Sequence, residues 1–288
     1  MNTRMIGDAT VSEIGFGGMA LSIENRPDEG QAIKTIHKAL DSGINLIDTA
    51  DAYCLNSETE HGHNERLISK ALATWNGDAS SILVATKGGK RKPQEGVWPI
   101  NGRPEYIKES CELSLKALGV DCIGLYHLHA KDPNVPYVES LGAVSELISE
   151  GKVRQAGISN VDIDMLTEAL GILPVASVQN ELSALERVSL DVVEYCTMFG
   201  IAFLAYSPLG GASRAKEIGV KMPALQYIAG THGVSAQQVA LAWLLAQSPL
   251  IIPIPSSTKE ETVQENVESS EIVLSNEDIS MINDAINI

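Results

Sequence analysis

The sequence predicts an α/β fold of the (β/α)8 TIM-barrel type, preceded by a β-hairpin. Short apolar runs typical of buried strands alternate with longer segments of helical periodicity, and the alternation is completed eight times. No internal repeat, low-complexity segment or linker interrupts the 288 residues. We therefore expect residues 1–288 to form a single barrel domain.

The first predicted element is a two-stranded ribbon. Residues 3–6 and 9–12 flank Gly7-Asp8, a dipeptide typical of tight hairpin turns. Residues 13–19 then contain the first barrel strand, where paired glycines indicate a close backbone approach.

The remaining strands and helices follow in strict alternation. Strands are predicted at 44–48, 81–86, 122–128, 153–158, 176–179, 202–206 and 250–254. Helices are predicted at 30–42, 64–75, 104–118, 137–150, 162–170, 188–199, 235–247 and 259–268, with a final helix near 276–286. Pro104 suits the first position of its helix, and Gly43, Gly119 and Gly151 suit helix C-termini.

Charge and composition exclude several classes of partner. The formal net charge is -16 and the pI is near 4.7, which disfavours nucleic acid and anionic membranes because both need a basic surface. No run reaches the about 18 apolar residues of a membrane span. The four cysteines have neither CxxC nor metal-ligand spacing, and no apolar signal region follows Met1. A cytoplasmic protein is expected, and its oligomeric state is not predicted.

Polar side chains follow seven of the eight predicted strands. They are Asp48, Lys87, His127 with His129, Ser159 with Asn160, Gln179 with Asn180, Tyr206 with Ser207, and Ser256 with Ser257. The carboxyl ends of the strands of such a barrel lie at one rim, where polar groups bind one another or a ligand.

Four of these residue types together suggest a particular chemistry. A phenol such as Tyr53 has an ordinary pKa of about 10 and is a weak acid unless a cation stabilises its phenolate. Lys87 supplies that cation, and Asp48 keeps the buried lysine charged and oriented. A histidine of the fourth strand, His127 or His129, then positions a carbonyl oxygen for protonation by Tyr53.

The stretch that contains the acid and the phenol is Gly-Ile-Asn-Leu-Ile-Asp-Thr-Ala-Asp-Ala-Tyr, residues 43–53. It resembles the signature of the aldo-keto reductases, nicotinamide-dependent oxidoreductases with a (β/α)8 barrel. The resemblance extends from Val11 to about Asn266 and implies reduction of aldehydes or ketones by a tetrad of Asp48, Tyr53, Lys87 and His129. In the family pattern the catalytic histidine stands three residues after a tyrosine, which selects His129. His127 is expected in the core, one layer below, and Asp51 is expected to serve the structure of its loop.

The resemblance also implies a cofactor site. Ser159, Asn160 and Gln179 correspond to residues that bind the nicotinamide carboxamide. Tyr206 corresponds to the tyrosine that stacks on the nicotinamide ring, and Ser207 and Leu209 to residues along the pyrophosphate.

Residues 254–266 are similar to the family's clamp on the adenosine phosphate. The cofactor-binding residues implied there are Ser256, Ser257, Thr258, Lys259, Thr262, Glu265 and Asn266. Thr258 and Glu261 also predict a capping box at a helix start, where backbone amides attract phosphate. Many members have basic residues where this chain has Ser256 and Thr262. NADP is the expected cofactor, with NAD as the alternative.

Substrate choice is expected from the loops at 54–63 and 88–103, with Trp98 as a substrate-contacting residue or as an anchor of its own loop. Because no long C-terminal extension is seen, we expect an open site that accepts carbonyls of varied shape. Two other functions stay open. One is a non-catalytic nicotinamide-binding regulatory subunit of the same fold. The other is a metal-dependent hydrolase using His61 and His63 with the histidines of the fourth strand, although convergent carboxylates are missing and no metal site is predicted.

Overall fold

Eight parallel strands form a sheet in which each strand pairs with its neighbours in the sequence. The computed structural model describes residues 1–285. The strands are β1 (Thr3–Ile6), β2 (Ala9–Ser12), β3 (Phe16–Gly17), β4 (Leu46–Asp48), β5 (Leu83–Gly88), β6 (Ile123–Leu128), β7 (Val153–Ser159), β8 (Val175–Glu181), β9 (Ala202–Tyr206) and β10 (Ile251–Pro253). β1 and β2 form the predicted antiparallel hairpin, and β3 to β10 form the barrel sheet.

Twelve α-helices lie in the described part of the chain. They are α1 (Glu29–Asp41), α2 (His63–Thr74), α3 (Pro104–Leu118), α4 (Tyr137–Ser149), α5 (Ile163–Leu170), α6 (Leu190–Phe199), α7 (Ala212–Ala215), α8 (Ile218–Lys221), α9 (Pro223–His232), α10 (Ala236–Gln247), α11 (Glu260–Glu268) and α12 (Asn276–Asp284). None of them is long and apolar enough to cross a membrane.

The ends of the sheet meet and close the barrel. Gly15 and Gly17 donate their amides to the carbonyls of Pro253 and Pro255 at 2.9 and 3.1 Å. The hydroxyl of Ser256 donates to the carbonyl of Gly17 at 2.6 Å. Gly17 has to be a glycine here, because an added Cβ would lie 2.7 Å from the carbonyl oxygen of Ile254.

The interior of the barrel is filled by apolar residues from alternate positions of its strands. Leu46, Leu125 and Leu204 are fully buried in one cluster, and Ile6 and Val11 of the hairpin belong to the same cluster. The hairpin therefore closes the amino-terminal end of the barrel. A site can open only at the other end, where the strands run into their loops.

The predicted elements are confirmed with small shifts in their bounds. β4 begins at Leu46 rather than at 44, because the amide of Ile44 still bonds the carbonyl of Ala39 and completes the turn that ends α1. Residues 208–234 carry three helices, α7 to α9, that the sequence analysis does not assign. The last predicted helix ends at Asp284, and its predicted final residue, 286, lies outside the described residues.

We predict that Gly17→Ala destabilises the protein, because the new methyl group meets backbone that cannot move without opening the barrel. The expected loss in the free energy of unfolding is about 1–3 kcal/mol, measured by urea denaturation. Gly142→Ala in α4 is the control, since nothing lies within 4 Å of its added Cβ. That variant should be unchanged or more stable by about 0.5–1 kcal/mol. Equal stability of Gly17→Ala and wild type would contradict the closure described here.

Candidate active site

A buried ion pair stands at the carboxyl ends of β4 and β5. The ammonium of Lys87 donates to both carboxylate oxygens of Asp48, at 2.8 and 2.7 Å, and to the carbonyl of Thr49 at 2.7 Å. Lys87 is 1% and Asp48 3% exposed. The side-chain amide of Gln179 in β8 donates to the same carboxylate at 2.7 Å. Three strands thus hold this pair in place.

The phenol of Tyr53 completes the arrangement around Lys87. The lysine ammonium lies 3.2 Å from the tyrosine oxygen and 4.9 Å from the ring centroid. The loop that carries Tyr53 is fixed to β5, because the amides of Thr49 and Asp51 bond the carbonyls of Ala85 and Lys87. The phenol is therefore set by backbone pairing as well as by the lysine.

His129 follows β6 and faces the edge of the tyrosine. The two ring centroids are 6.1 Å apart with an interplanar angle of 84°. Nδ1 of His129 is buried and has no hydrogen-bond partner in the described structure. The four residues of the predicted tetrad, Asp48, Tyr53, Lys87 and His129, are thus brought together.

Burial and the lysine charge set the protonation states of the tetrad. Burial works against the charged form of Lys87, but Asp48 and Tyr53 together outweigh it and raise the lysine pKa. Burial raises the pKa of Tyr53, and the lowering by Lys87 does not offset it. Burial and the charges of Lys90 and Lys87 hold the pKa of His129 well below its ordinary range. The site near neutral pH combines an ammonium, an intact phenol and a neutral imidazole.

His127 lies in the core, as the sequence analysis predicts. It is fully buried, and its Nε2 lies 2.9 Å from the hydroxyl of Ser177 in β8. An added Cβ on Gly157 would come 2.3 Å from the His127 ring. Burial lowers its pKa to about 3, which keeps the imidazole neutral.

Three of the predicted nicotinamide-binding residues, at the ends of β7 and β9, form a hydrogen-bonded row. The amide of Asn160 donates to the carbonyl of His129 at 2.9 Å and to the hydroxyl of Ser159 at 3.0 Å. The hydroxyl of Tyr206 donates to the side-chain oxygen of Asn160 at 2.8 Å. This row connects the tetrad directly to the strand ends on that side of the barrel.

Two residues of this side have backbone conformations that L side chains rarely adopt. Asn160 has φ 60° and Ser207 has φ 47°. Such strain collects at ligand-binding loops, where it aims side chains and amides. Ser159 and Gln179 are buried, whereas Tyr206, Ser207 and Leu209 are partly exposed at the rim. The chain therefore presents a flat aromatic ring and several polar groups on this side of the rim.

The predicted phosphate and adenine residues lie in the segment after β10 and within α11. Their side chains range from exposed to buried: Ser256, Lys259 and Glu265 are exposed, Thr258 and Thr262 are partly buried, and Ser257 and Asn266 are buried. Arg214 in α7 forms an ion pair with Glu181 at 3.2 Å.

The predicted capping box of Thr258 and Glu261 is wrong. α11 begins at Glu260 after Lys259, and no side chain caps it. The hydroxyl of Ser257 instead accepts from the amide of Lys259 at 3.0 Å, which forms a turn and delays the helix by one residue. The first amides of α11 are left without a side-chain acceptor, which favours an anion at that position.

Trp98 lies in the loop after β5, beside Tyr53. Its ring meets that of Tyr53 edge to face, with centroids 6.4 Å apart. The buried ammonium of Lys92 lies 5.6 Å from the tryptophan ring and also pairs with Glu24. Trp98 is thus both held in its loop and placed beside the phenol.

Behind the tetrad lies a buried acidic network that the sequence analysis does not identify. Asp51 accepts hydrogen bonds from Ser110 in α3 and from His61 at 3.3 Å. Glu65 in α2 is fully buried and accepts from Thr86 at 2.6 Å. Burial and the nearby Asp51 raise the pKa of Glu65 to about 7. The sequence shows one acid before and one after the predicted start of α2, Asp51 and Glu65, but only the fold shows that both side chains are buried.

The histidines considered for a metal do not converge. His61 pairs with Asp51, and His63 lies 2.9 Å from the hydroxyl of Ser22. Within residues 1–285, no three His, Cys, Asp or Glu side chains are grouped as metal ligands.

Comparison with known proteins gives one consistent family. A model of the aldo/keto reductase family matches residues 13–287. An uncharacterised oxidoreductase of Schizosaccharomyces pombe is 34% identical over 279 residues, which cover 96% of this chain and 87% of that protein. An aldo-keto reductase named for NADP(+) from the same organism is 31% identical over 315 residues, covering 98% and 91%.

Solved structures share the fold over nearly the whole chain. The glycerol dehydrogenase of Gluconobacter oxydans superimposes with a TM-score of 0.85 at 26% identity, covering 99% of this chain and 94% of that one. An aldo-keto reductase of Bacillus halodurans in its holo form gives a TM-score of 0.80 at 27% identity, covering 99% and 96%. Both comparisons agree with the (β/α)8 barrel.

The raised pKa of Glu65 predicts a pH-dependent loss of stability. A carboxyl whose pKa is higher in the folded state stabilises the fold when protonated, and this contribution is lost as pH rises from about 4.5 through about 7. The loss amounts to about 3 kcal/mol when the shift is converted to free energy.

Glu65→Gln should remove that part of the pH dependence, measured as the difference in unfolding free energy from wild type at about pH 5 and pH 8. The exposed Glu58→Gln is the matched control and should follow wild type. A Glu65→Gln curve parallel to that of wild type would contradict the assignment.

Proposed function

Since the chain belongs to the aldo/keto reductase family, we propose that it is an NADP-dependent oxidoreductase that reduces the carbonyl group of aldehydes or ketones to an alcohol. One observation carries the assignment of chemistry to this site. The ammonium of Lys87 lies between the carboxylate of Asp48 and the phenol of Tyr53, at 2.7 and 3.2 Å.

Tyr53 is the proposed proton donor. A reduced nicotinamide held by the residues along β7 to β10 would supply the hydride for the carbonyl carbon. The carbonyl oxygen then gains negative charge, and the phenol protonates it as its own O–H bond breaks. Because Tyr53 keeps its proton in the buried site, the donor is loaded before the substrate arrives.

Lys87 and Asp48 support that transfer through charge. When Tyr53 gives up its proton, the phenolate is left 3.2 Å from a fixed ammonium, which stabilises it at once. Asp48 keeps the ammonium charged and directed at the phenol, because a buried lysine without a counter-ion tends to lose its proton.

His129 is the proposed residue that orients the substrate. Its imidazole is neutral, and neither ring nitrogen bonds to another described residue of the protein. A neutral imidazole carries one N–H, which is able to donate to the substrate carbonyl without competing for the proton of Tyr53. Edge-to-face packing on Tyr53 brings this donor beside the phenol.

The residues along β7 to β10 are proposed to hold the cofactor. Ser159, Asn160 and Gln179 suit the carboxamide, the ring of Tyr206 suits stacking against the nicotinamide, and Ser207 and Leu209 suit the pyrophosphate. The adenosine phosphate is assigned to the uncapped start of α11, with Ser256, Ser257, Thr258, Lys259 and Thr262, and the adenine to Glu265 and Asn266. Lys259 and the free amides favour NADP over NAD.

Trp98 is proposed to line the substrate side, with the loops at 54–63 and 88–103. We also propose a single domain, a cytoplasmic location and no nucleic-acid or membrane partner. The location rests on four cysteines that are all unpaired thiols. Nucleic acid and anionic membranes are excluded as partners because the net charge of -16 repels polyanions.

The second candidate, a cofactor-binding subunit without turnover, is disfavoured by the complete tetrad. Such a subunit has no need of a buried lysine aimed at a phenol, which costs stability in the absence of chemistry. The two functions differ in turnover and agree in cofactor binding, so one variant separates them.

We predict that Tyr53→Phe lowers kcat for small aldehydes by about 10²- to 10⁴-fold, because the general acid is lost while the ring is kept. NADPH absorbance measures turnover, and cofactor fluorescence measures NADPH affinity, which should stay close to that of wild type. A wild type that binds NADPH yet reduces none of a panel of aldehydes would support the subunit. Full activity of Tyr53→Phe would contradict the assigned proton donor.

A further inference from the structure

A short basic cluster interrupts this acidic chain beside the proposed site. The whole sequence holds 21 Lys and Arg against 37 Asp and Glu, yet four basic residues occur within six positions, at Lys87, Lys90, Arg91 and Lys92. The cluster spans the end of β5 and the first residues of the substrate loop. An anionic ligand of this protein requires such a local exception to the overall charge.

The cluster divides by how its charges are compensated. Lys87 pairs with Asp48, and Lys92 pairs with Glu24 and donates to the carbonyl of Leu55. Arg91 is exposed to solvent. Lys90 differs from all three, since it is partly buried and its ammonium has no hydrogen bond or ion pair within residues 1–285.

The backbone fixes Lys90 in place. It forms a β-bridge with Ile100 across the loop, and its carbonyl accepts from the hydroxyl of Tyr106 at 3.4 Å. The amide of Asn101 bonds the carbonyl of the preceding Gly89 at 2.9 Å. These contacts hold both sides of the loop, so the fold sets the position of Lys90.

The charge of Lys90 acts on the site itself. Burial and then the charge of Lys90 are the main causes that lower the pKa of His129, with Lys90 ahead of Lys87. Burial and Lys87 lower the pKa of Lys90 in turn, and no carboxylate opposes them. The backbone places the two residues side by side, since the amide of His129 bonds the carbonyl of Gly88 at 2.9 Å and an added Cβ on Gly89 would lie 3.9 Å from the same amide. Lys90 thus follows directly on the segment that pairs with the histidine proposed to orient the carbonyl, in surroundings that favour the arrival of an anion.

We propose that Lys90 binds an anionic substituent of the carbonyl substrate, a carboxylate or a phosphate, while His129 and Tyr53 bind the carbonyl oxygen. This inference rests on the proposed function. The cofactor does not account for the lysine, since the proposed cofactor residues follow β7 to β10 and Lys90 follows β5. A partly desolvated ammonium without a partner gains more from a carboxylate than a solvated one does.

Matched substrate pairs test the proposal. 4-Oxobutanoate is compared with butanal, and glyceraldehyde 3-phosphate with glyceraldehyde, so that each pair differs by the anionic group. Wild type should favour at least one anionic member in kcat/KM by about tenfold or more. The two pairs separate a carboxylate from a phosphate as the preferred group.

Lys90→Met keeps the length of the side chain and removes its charge. The variant should raise KM for the favoured anionic substrate by about tenfold or more relative to any change in KM for the neutral member of the pair. Its kcat should change little. Lys116→Met is the control, because this exposed lysine lies in the last turn of α3, where the chain returns to the amino end of β6 and away from the rim that carries the tetrad. The proposal would be overturned if wild type had the same kcat/KM for both members of each pair. It would also be overturned if Lys90→Met lost kcat/KM equally for both members.

Binding without turnover distinguishes the two possible failures. Calorimetric titration of 4-hydroxybutanoate and of glycerol 3-phosphate into the NADP-loaded protein measures the anion contact directly. At least one should bind wild type and lose about tenfold or more in affinity in Lys90→Met. If no aldehyde is reduced but this loss is found, the proposed function fails and the anion site stands. If aldehydes are reduced and neither anion depends on Lys90, only the anion site fails.

Discussion

The structure of the site depends on one buried ion pair, between Lys87 and Asp48. An ammonium in the barrel interior is costly unless a counter-charge and further acceptors satisfy it. Here the ammonium of Lys87 donates to the two oxygens of Asp48 and to the carbonyl of Thr49, and the oxygen of Tyr53 is its next nearest acceptor. These hydrogen bonds fix the direction in which the Lys87 ammonium faces Tyr53.

The barrel holds the two charged groups of this pair in fixed positions, which offsets the free-energy cost of burying them. Asp48, Lys87 and Gln179 come from three different strands, and each is placed by parallel pairing with its neighbours. His129 directly follows a fourth strand, and its amide bonds the carbonyl of Gly88. The hairpin fills the opposite end, so the polar groups face the open rim only. The acidic residues Asp51 and Glu65 lie on the outer side of β5, where Asp51 ties the Tyr53 loop to α3 and Glu65 ties α2 to β5.

Sequence reasoning predicts the parts of this protein that periodicity and strand ends determine. The hairpin, the eight barrel strands and the meeting of Asp48, Tyr53, Lys87 and His129 are confirmed, because a parallel barrel brings its strand ends to one rim whatever the loops do. The core position of His127 also follows, since residues two apart on a strand share a face.

The rest depended on contacts between distant segments. The capping box at Thr258 fails because Ser257 forms a competing turn, and both choices look alike in the sequence. The upward shift of the Tyr53 pKa depends on burial, which outweighs the lysine that the sequence makes evident. The paired and unpaired lysines of the basic cluster are likewise indistinguishable until Glu24 and Asp48 are seen beside two of them.

The most direct test of the central ion pair is the turnover of Asp48→Asn, which keeps the shape of the side chain and removes its charge. Lys87 then loses its counter-ion, its ammonium is no longer held charged beside the phenol, and kcat should fall by about 100-fold or more in protein that still binds NADPH. A folded Asp48→Asn protein with kcat within about twofold of wild type would contradict the account, because the charge of Asp48 would then have no part in the chemistry.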